Sequence, residues 1–170
     1  VLNYAKKHGF KIMGGYGLNI INSAALEQYR KLGIDMAEIS FECSISRFNK
    51  MIKTIPCGLT VYGKMPLMTF RACPARSEHG CRDCNGMPKI TDRLANEMTL
   101  MCHNKKYSQL LNPKPIYMAD RLNEIQNADF ISLHFTEQTH EECSEIINKY
   151  INRKAPDSEF TRGLYYKEIK

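Results

Sequence analysis

An α/β fold, read here as a partial TIM-like β/α barrel comprising its C-terminal half, about four β/α units, is predicted by three observations. First, four short apolar runs at 11–14, 36–41, 58–62 and 129–135 look like buried strands, and most are followed by a helical pattern. Alternating strand and helix argues a parallel sheet, because parallel strands need crossovers and those are usually helices. Second, the helix-to-strand links are short: Lys31-Leu32-Gly33-Ile34-Asp35 and Ile125-Gln126-Asn127-Ala128-Asp129 each run straight into a strand. Short links on that side and longer ones after the strands are the pattern of a β/α barrel, whose working end is the strand C-termini. Third, four units leave two sheet edges unpaired, so a missing N-terminal half or a second copy of the chain is expected as partner.

The elements follow in order. Residues 1–10 read as the tail of an amphipathic helix; with no initiator Met, the start looks like a cut through something longer. A helix over 22–32 has Ala24, Ala25, Leu26 and Tyr29 on one side, Asn22 as its N-cap and Gly33 as its stop. Ser44 or Ser46 caps a helix running to Ile55, before Pro56. A short helix is expected over 119–126, and a longer one over 137–151 with Cys143, Ile146, Ile147 and Tyr150 inward. Residues 1–170 are taken as one domain, with 64–118 as a cysteine-containing insertion loop on the functional face.

Composition narrows the class. Hydrophobic residues make up 43% and charged residues 25%, which is globular, and no apolar run nears the ~20 residues a membrane helix needs. No signal peptide opens the chain, and seven cysteines is an odd count, so a reduced cytoplasmic protein is expected rather than a disulfide scaffold. Cys43, Cys57 and Cys143 read as small buried hydrophobes. A net charge of +6 permits an anionic partner such as RNA without demanding one.

The most specific chemistry lies in Cys73, Cys81, Cys84 and Cys102, spaced Cys-x7-Cys-x2-Cys-x17-Cys within polar, turn-forming sequence. Four thiolates in such a segment hold an iron–sulfur cluster, which tolerates irregular spacing, or zinc, which prefers two Cys-x2-Cys knuckles. Only Cys81 and Cys84 form such a knuckle, so zinc ranks second, and an unmetallated or disulfide state third. His79 and His103 adjoin the ligands; either could replace a thiol in a zinc site, and the plainer reading is an exposed or supporting group. Arg71, Arg76, Arg82 and Arg93 cluster nearby; they solvate the loop or meet an anion. At the strand ends, Asn19, Glu42, Tyr62 and Lys64 are substrate-binding candidates, as is Arg162 in the final stretch. Several have a plainer reading: a helix flank for Asn19, an exposed carboxylate for Glu42, an ion pair with Asp92 or a nearby carboxylate for Arg93, and a loosely held tail for 160–163. Gly14-Gly15-Tyr16-Gly17 lacks dinucleotide spacing, and His140-Glu141-Glu142-Cys143 lacks the second His of a zinc-protease helix. No Gly-x-Ser-x-Gly elbow appears, so no catalytic residue is assigned.

Several segments resemble the collagenase-like peptidase family U32. They are Gly17-Leu18-Asn19-Ile20-Ile21-Asn22-Ser23, Val61-Tyr62-Gly63-Lys64-Met65-Pro66-Leu67-Met68, the cysteine region through Thr91-Asp92-Arg93, Leu111-Asn112-Pro113-Lys114-Pro115-Ile116-Tyr117-Met118-Ala119-Asp120, and Phe160-Thr161-Arg162-Gly163-Leu164-Tyr165-Tyr166. The match runs in order from about Gly14 to Tyr166; His134 stands where many relatives carry an acidic residue. The resemblance implies a β/α barrel and a peptidase or protease (hydrolase) label with no assigned mechanism. It also implies a 4Fe-4S cluster on the four cysteines and oxygen-independent hydroxylation of RNA bases or a small aromatic substrate. A true peptidase acting on collagen-like or other peptides, and a non-catalytic zinc-stabilised interaction module, are the alternatives.

Overall fold

The computed structural model describes residues 2–76, 81, 82 and 84–167. The chain divides into two compact units: one formed by residues 1–63 and 116–170, the other by Lys64–Pro115 inserted between them.

The first unit is mixed α/β. Helix α1 (Leu2–Lys7) leads to strand β1 (Met13–Gly14), then a 3-10 turn at Tyr16–Leu18, α2 (Ser23–Leu32), β2 (Met36–Ile39), α3 (Ile45–Lys50) and β3 (Cys57–Gly63). After the inserted unit come β8 (Ile116–Tyr117), a 3-10 segment at Ala119–Glu124, β9 (Phe130–Leu133) and α4 (His140–Ile151). Strands β1, β2, β3 and β9 lie side by side and parallel, while β8 pairs antiparallel with the end of β3. Among the described residues the sheet does not close on itself.

Local chemistry sets these boundaries. Asn22 accepts from the Ala25 N–H, Ser44 from that of Arg47, and Thr139 forms a reciprocal capping box with Glu142. Gly33 ends α2 in the left-handed region at φ 93°, where a side chain would be strained. The two recurring helix-to-strand links have one mechanism. Asp35 and Asp129 each stand just before a strand and accept a backbone N–H beside the neighbouring parallel strand, that of Ile12 (2.7 Å) and of Cys57 (2.8 Å). Gly58 on β3 faces Phe130 on β9; a Cβ there would fall 2.4 Å from the Phe130 carbonyl oxygen, so only glycine allows this approach.

The core holds Ile20, Leu26, Ala37, Ile39, Phe48, Leu59, Val61 and Met118. Cys43 and Cys57 belong to it, and burial pushes the Cys57 thiol up to about 11. Some sequence expectations are corrected. Ala24 and Ile147 are exposed, α3 stops at Lys50 rather than Ile55, and 119–124 is 3-10 rather than α-helical. The final stretch is no loose tail: the Tyr117 N–H donates to the Thr161 carbonyl at 3.1 Å, the Ile45 N–H donates to the Tyr165 carbonyl, and Tyr165 is fully buried.

Arg162 fastens this stretch. Its guanidinium donates to both Asp120 carboxylate oxygens (2.7 and 2.8 Å) and to the Tyr117 carbonyl (2.6 Å). The guanidinium holds the Asp120 carboxyl below its ordinary range. The pair therefore contributes stability above the unfolded carboxylate value of about 3.9, and this is lost as pH falls through the lower folded value. Asp120→Asn is expected to lower the urea midpoint near neutrality, with the gap to wild type closing below about pH 4. Urea titrations across that range check this; a gap independent of pH would contradict it.

The second unit is antiparallel, not the loop expected from its polar sequence. Strands β4 (Pro66–Phe70), β5 (Lys89–Thr91), β6 (Glu97–His103) and β7 (Tyr107–Leu111) form a sheet in the order β4-β7-β6-β5. Its core is small: Ala75, Leu100 and Leu110, with Phe70, Cys73, Ile90 and Met98 packed against them.

Candidate metal centre

All four sequence-predicted ligands line one cavity of the second unit. It has a volume of about 70 Å³ and is walled by Cys73, Cys81, Cys84 and Cys102 together with Ala75, Gly86, Pro88 and Lys105. Cys73 follows β4 and packs against the small core, and Cys102 sits near the end of β6. Cys81 and Cys84 lie in the stretch before β5.

Two of the sulfurs accept backbone hydrogen bonds. The Gly86 N–H donates to Cys84 Sγ and the Lys105 N–H to Cys102 Sγ, each at 3.3 Å. Both turns use left-handed backbone, Gly86 at φ 86° and Asn104 and Lys105 at 51° and 60°. The Cys102 N–H donates in turn to the Gly86 carbonyl at 2.8 Å, tying the turns together. Backbone N–H groups aimed at sulfur stabilise a metal-bound thiolate and tune its centre. All seven cysteines are free thiols. Among the described residues no three Cys, His, Asp or Glu side chains stand close enough, as placed, to grip a single ion. The four thiols instead surround a void.

A larger recess of about 270 Å³ shares Cys73, Cys81 and Cys102 with this cavity and adds Arg71, Arg76, Lys105 and Tyr107. Three cations and one aromatic ring suit an anionic, flat group. The His103 ring stacks on Tyr107 (4.3 Å, 11°) and its Nε2 meets Gln109 Oε1 at 2.8 Å. His79 lies outside the described residues.

The other candidates separate. Arg93 is exposed on a turn before β6, and Asp92 does not pair with it: Asp92 accepts the Leu94 and Asn96 N–H groups and the Asn96 side chain. Lys64 is half-buried at the start of the second unit. In the first unit, Asn19 Oδ1 accepts from the Ser40 hydroxyl at 2.8 Å, Glu42 is exposed, and Arg162 is taken up by Asp120. Tyr62 is buried against Phe135 and Tyr150, so it packs rather than lining an open mouth. Two serines near these strand ends are occupied locally: Ser23 accepts the Ile52 N–H and Ser44 caps α3.

One polar cluster escaped the sequence reading. Glu38 on β2 is 2% exposed and accepts from the Thr60 hydroxyl (2.7 Å), His134 Nε2 (2.8 Å) and the Tyr16 N–H (3.2 Å). Burial opposes its charge, but the bonds from His134 and Thr60 outweigh that and hold its carboxyl below the ordinary range. The available signal was a polar residue in each of three apolar strand runs: Glu38, Thr60 and Ser132.

Among the described residues no helix is long and apolar enough to cross a membrane. No family model, curated protein or solved structure matches the chain.

Proposed function

We propose that Cys73, Cys81, Cys84 and Cys102 hold a 4Fe-4S cluster, and that the protein is an enzyme of the kind its motifs resemble, acting in oxygen-independent hydroxylation of RNA bases or a small aromatic substrate. The observation that carries this is the lining of one cavity by all four thiols. Its size favours a polyatomic centre: a single water needs about 10–15 Å³ of such space, and this void of about 70 Å³ has several times that. The second unit also has reason to need a metal. Its apolar core is a handful of residues, and units this small usually rely on a disulfide or a metal.

When bound, the cluster supplies one-electron chemistry. The chain's own residues do the rest. Gly86 and Lys105 N–H groups steady the sulfurs, Arg71, Arg76 and Lys105 attract an anionic substrate group, and Tyr107 offers a stacking face. The parallel order β1-β2-β3-β9 is that of consecutive barrel strands, and we read the first unit as about four β/α units of a barrel completed by another segment or a second copy.

The test is metal analysis after purification without oxygen, or after reconstitution with ferrous iron and sulfide. About four iron per chain and absorbance near ~400 nm are expected. A colourless protein with one zinc per chain would favour the interaction-module reading, and a protein that binds neither metal would overturn the proposal.

A further inference from the structure

The Glu38 cluster is built like a device for orienting an imidazole. Strand side chains alternate in direction, so Glu38 and Thr60 share the face opposite to that of Ala37, Ile39, Leu59 and Val61. There Glu38 Oε1 receives both the Thr60 hydroxyl and His134 Nε2, and Oε2 receives the Tyr16 N–H. The Ser132 hydroxyl adds to the same carboxylate. The buried Tyr165 also faces it, with its hydroxyl turned to the Thr60 carbonyl.

Burying a carboxylate is costly, and an apolar side chain of similar volume would serve packing at least as well. What the carboxylate adds is control of the histidine. An acceptor at Nε2 requires the proton there, so in the neutral ring the lone pair stands at Nδ1. The His134 backbone is pinned as well, its N–H donating to the Tyr62 carbonyl at 2.8 Å. Unlike Glu38, the His134 side chain is 34% exposed, and among the described residues its Nδ1 has no hydrogen-bond partner. Tyr16 meets the ring edge-on at 5.3 Å, and Phe41 lies 5.4 Å beyond Tyr16. These groups stand at the C-terminal ends of β1, β2 and β9, where parallel α/β sheets place their chemistry.

We propose that His134, positioned by Glu38, is a proton acceptor for the O–H of a flat, phenol-like ligand packed against Tyr16 and Phe41. The ligand O–H bond breaks and an N–H bond forms at Nδ1. The electron pair stays on the ligand oxygen as phenolate, and the imidazolium is balanced by the Glu38 carboxylate, which remains ionised throughout. The step needs no metal, so it stands or falls apart from the cysteine centre.

The probe is 4-nitrophenol, whose phenolate absorbs at longer wavelength than the phenol, titrated against the full chain at a pH below the phenol's own ionisation. A saturable phenolate band is expected. His134→Gln, which keeps an N–H to offer Glu38 but has no basic nitrogen, is expected to abolish it. Glu38→Gln, which removes the charge that balances the imidazolium, is expected to weaken it. Nitrogen-15 NMR reads positioning separately: neutral His134 carries its proton on Nε2 in the wild type and loses that preference in Glu38→Gln. Absence of a saturable band, an unchanged band in His134→Gln, or a proton on Nδ1 in the wild type would overturn the proposal.

Discussion

Replacing Tyr165 with alanine is expected to bring the first unit close to unfolding. The residue is 1% exposed and, among the described residues, has the largest fully buried side chain. Its hydroxyl donates to the Thr60 carbonyl in the middle of β3, and its own carbonyl accepts the Ile45 N–H at the start of α3 at 3.0 Å. One residue thus joins the final stretch to a central strand and to a helix. Large-to-alanine changes at such sites cost about 3–5 kcal/mol, against a total stability of about 5–15 kcal/mol. Tyr165→Phe keeps the ring and removes one hydrogen bond, so about 1 kcal/mol is expected. Tyr166, half-exposed next door, is the control, and its alanine variant should cost under about 1 kcal/mol. Urea unfolding followed by circular dichroism measures all three. Equal effects at 165 and 166 would mean that the terminal stretch does not carry the core contact described.

That contact shows where sequence reading reaches and where it stops. The central strands β2 and β3 announce themselves because a strand buried on both faces is a short, nearly unbroken apolar run, and 58–62 is read almost to the residue. Caps are equally local: Asn22 and Ser44 act within three residues of themselves. The second unit hid because its strands are half exposed and interrupted by polar residues, as in Glu97-Met98-Thr99-Leu100-Met101-Cys102-His103. Glu38 hid for another reason. A single acid in Met36-Ala37-Glu38-Ile39 reads as a solvent-facing break, and only pairing in register identifies its partners. Gly58 lies opposite Glu38 on β3, Thr60 is opposite Ser132 on β9, and His134 is 96 positions away in sequence. The cysteines stood out as candidate ligands because thiol chemistry is carried by residue type. That they line one cavity depends on the antiparallel pairing of β5 and β6 bringing Cys102 beside Gly86, which spacing alone does not state.

Serine at Cys73, Cys81, Cys84 or Cys102 is expected to empty the centre and loosen the second unit, whereas serine at Cys143 on α4 is expected to do neither. The asymmetry follows from where cohesion comes from. A core of Ala75, Leu100 and Leu110 offers little against the entropy of ordering the strands around it. Binding energy from a structural metal, about 10–16 kcal/mol in small zinc domains, is folding energy in such units. Losing one ligand of four removes a large part of it, so each variant should retain less than about a tenth of the wild-type metal under a chelator that leaves the wild type loaded. Limited proteolysis reports the structural side: cleavage should concentrate within 64–115 in the four variants, while Tyr165 and the parallel sheet stay protected. Cys84→Ser and Cys102→Ser should be the more damaging pair, because those two sulfurs also receive the Gly86 and Lys105 N–H groups. Metal content that survives any one of these substitutions would remove that residue from the ligand set. Content that survives all four would mean the thiols line the cavity without serving a metal, leaving the second unit's order to its strands alone.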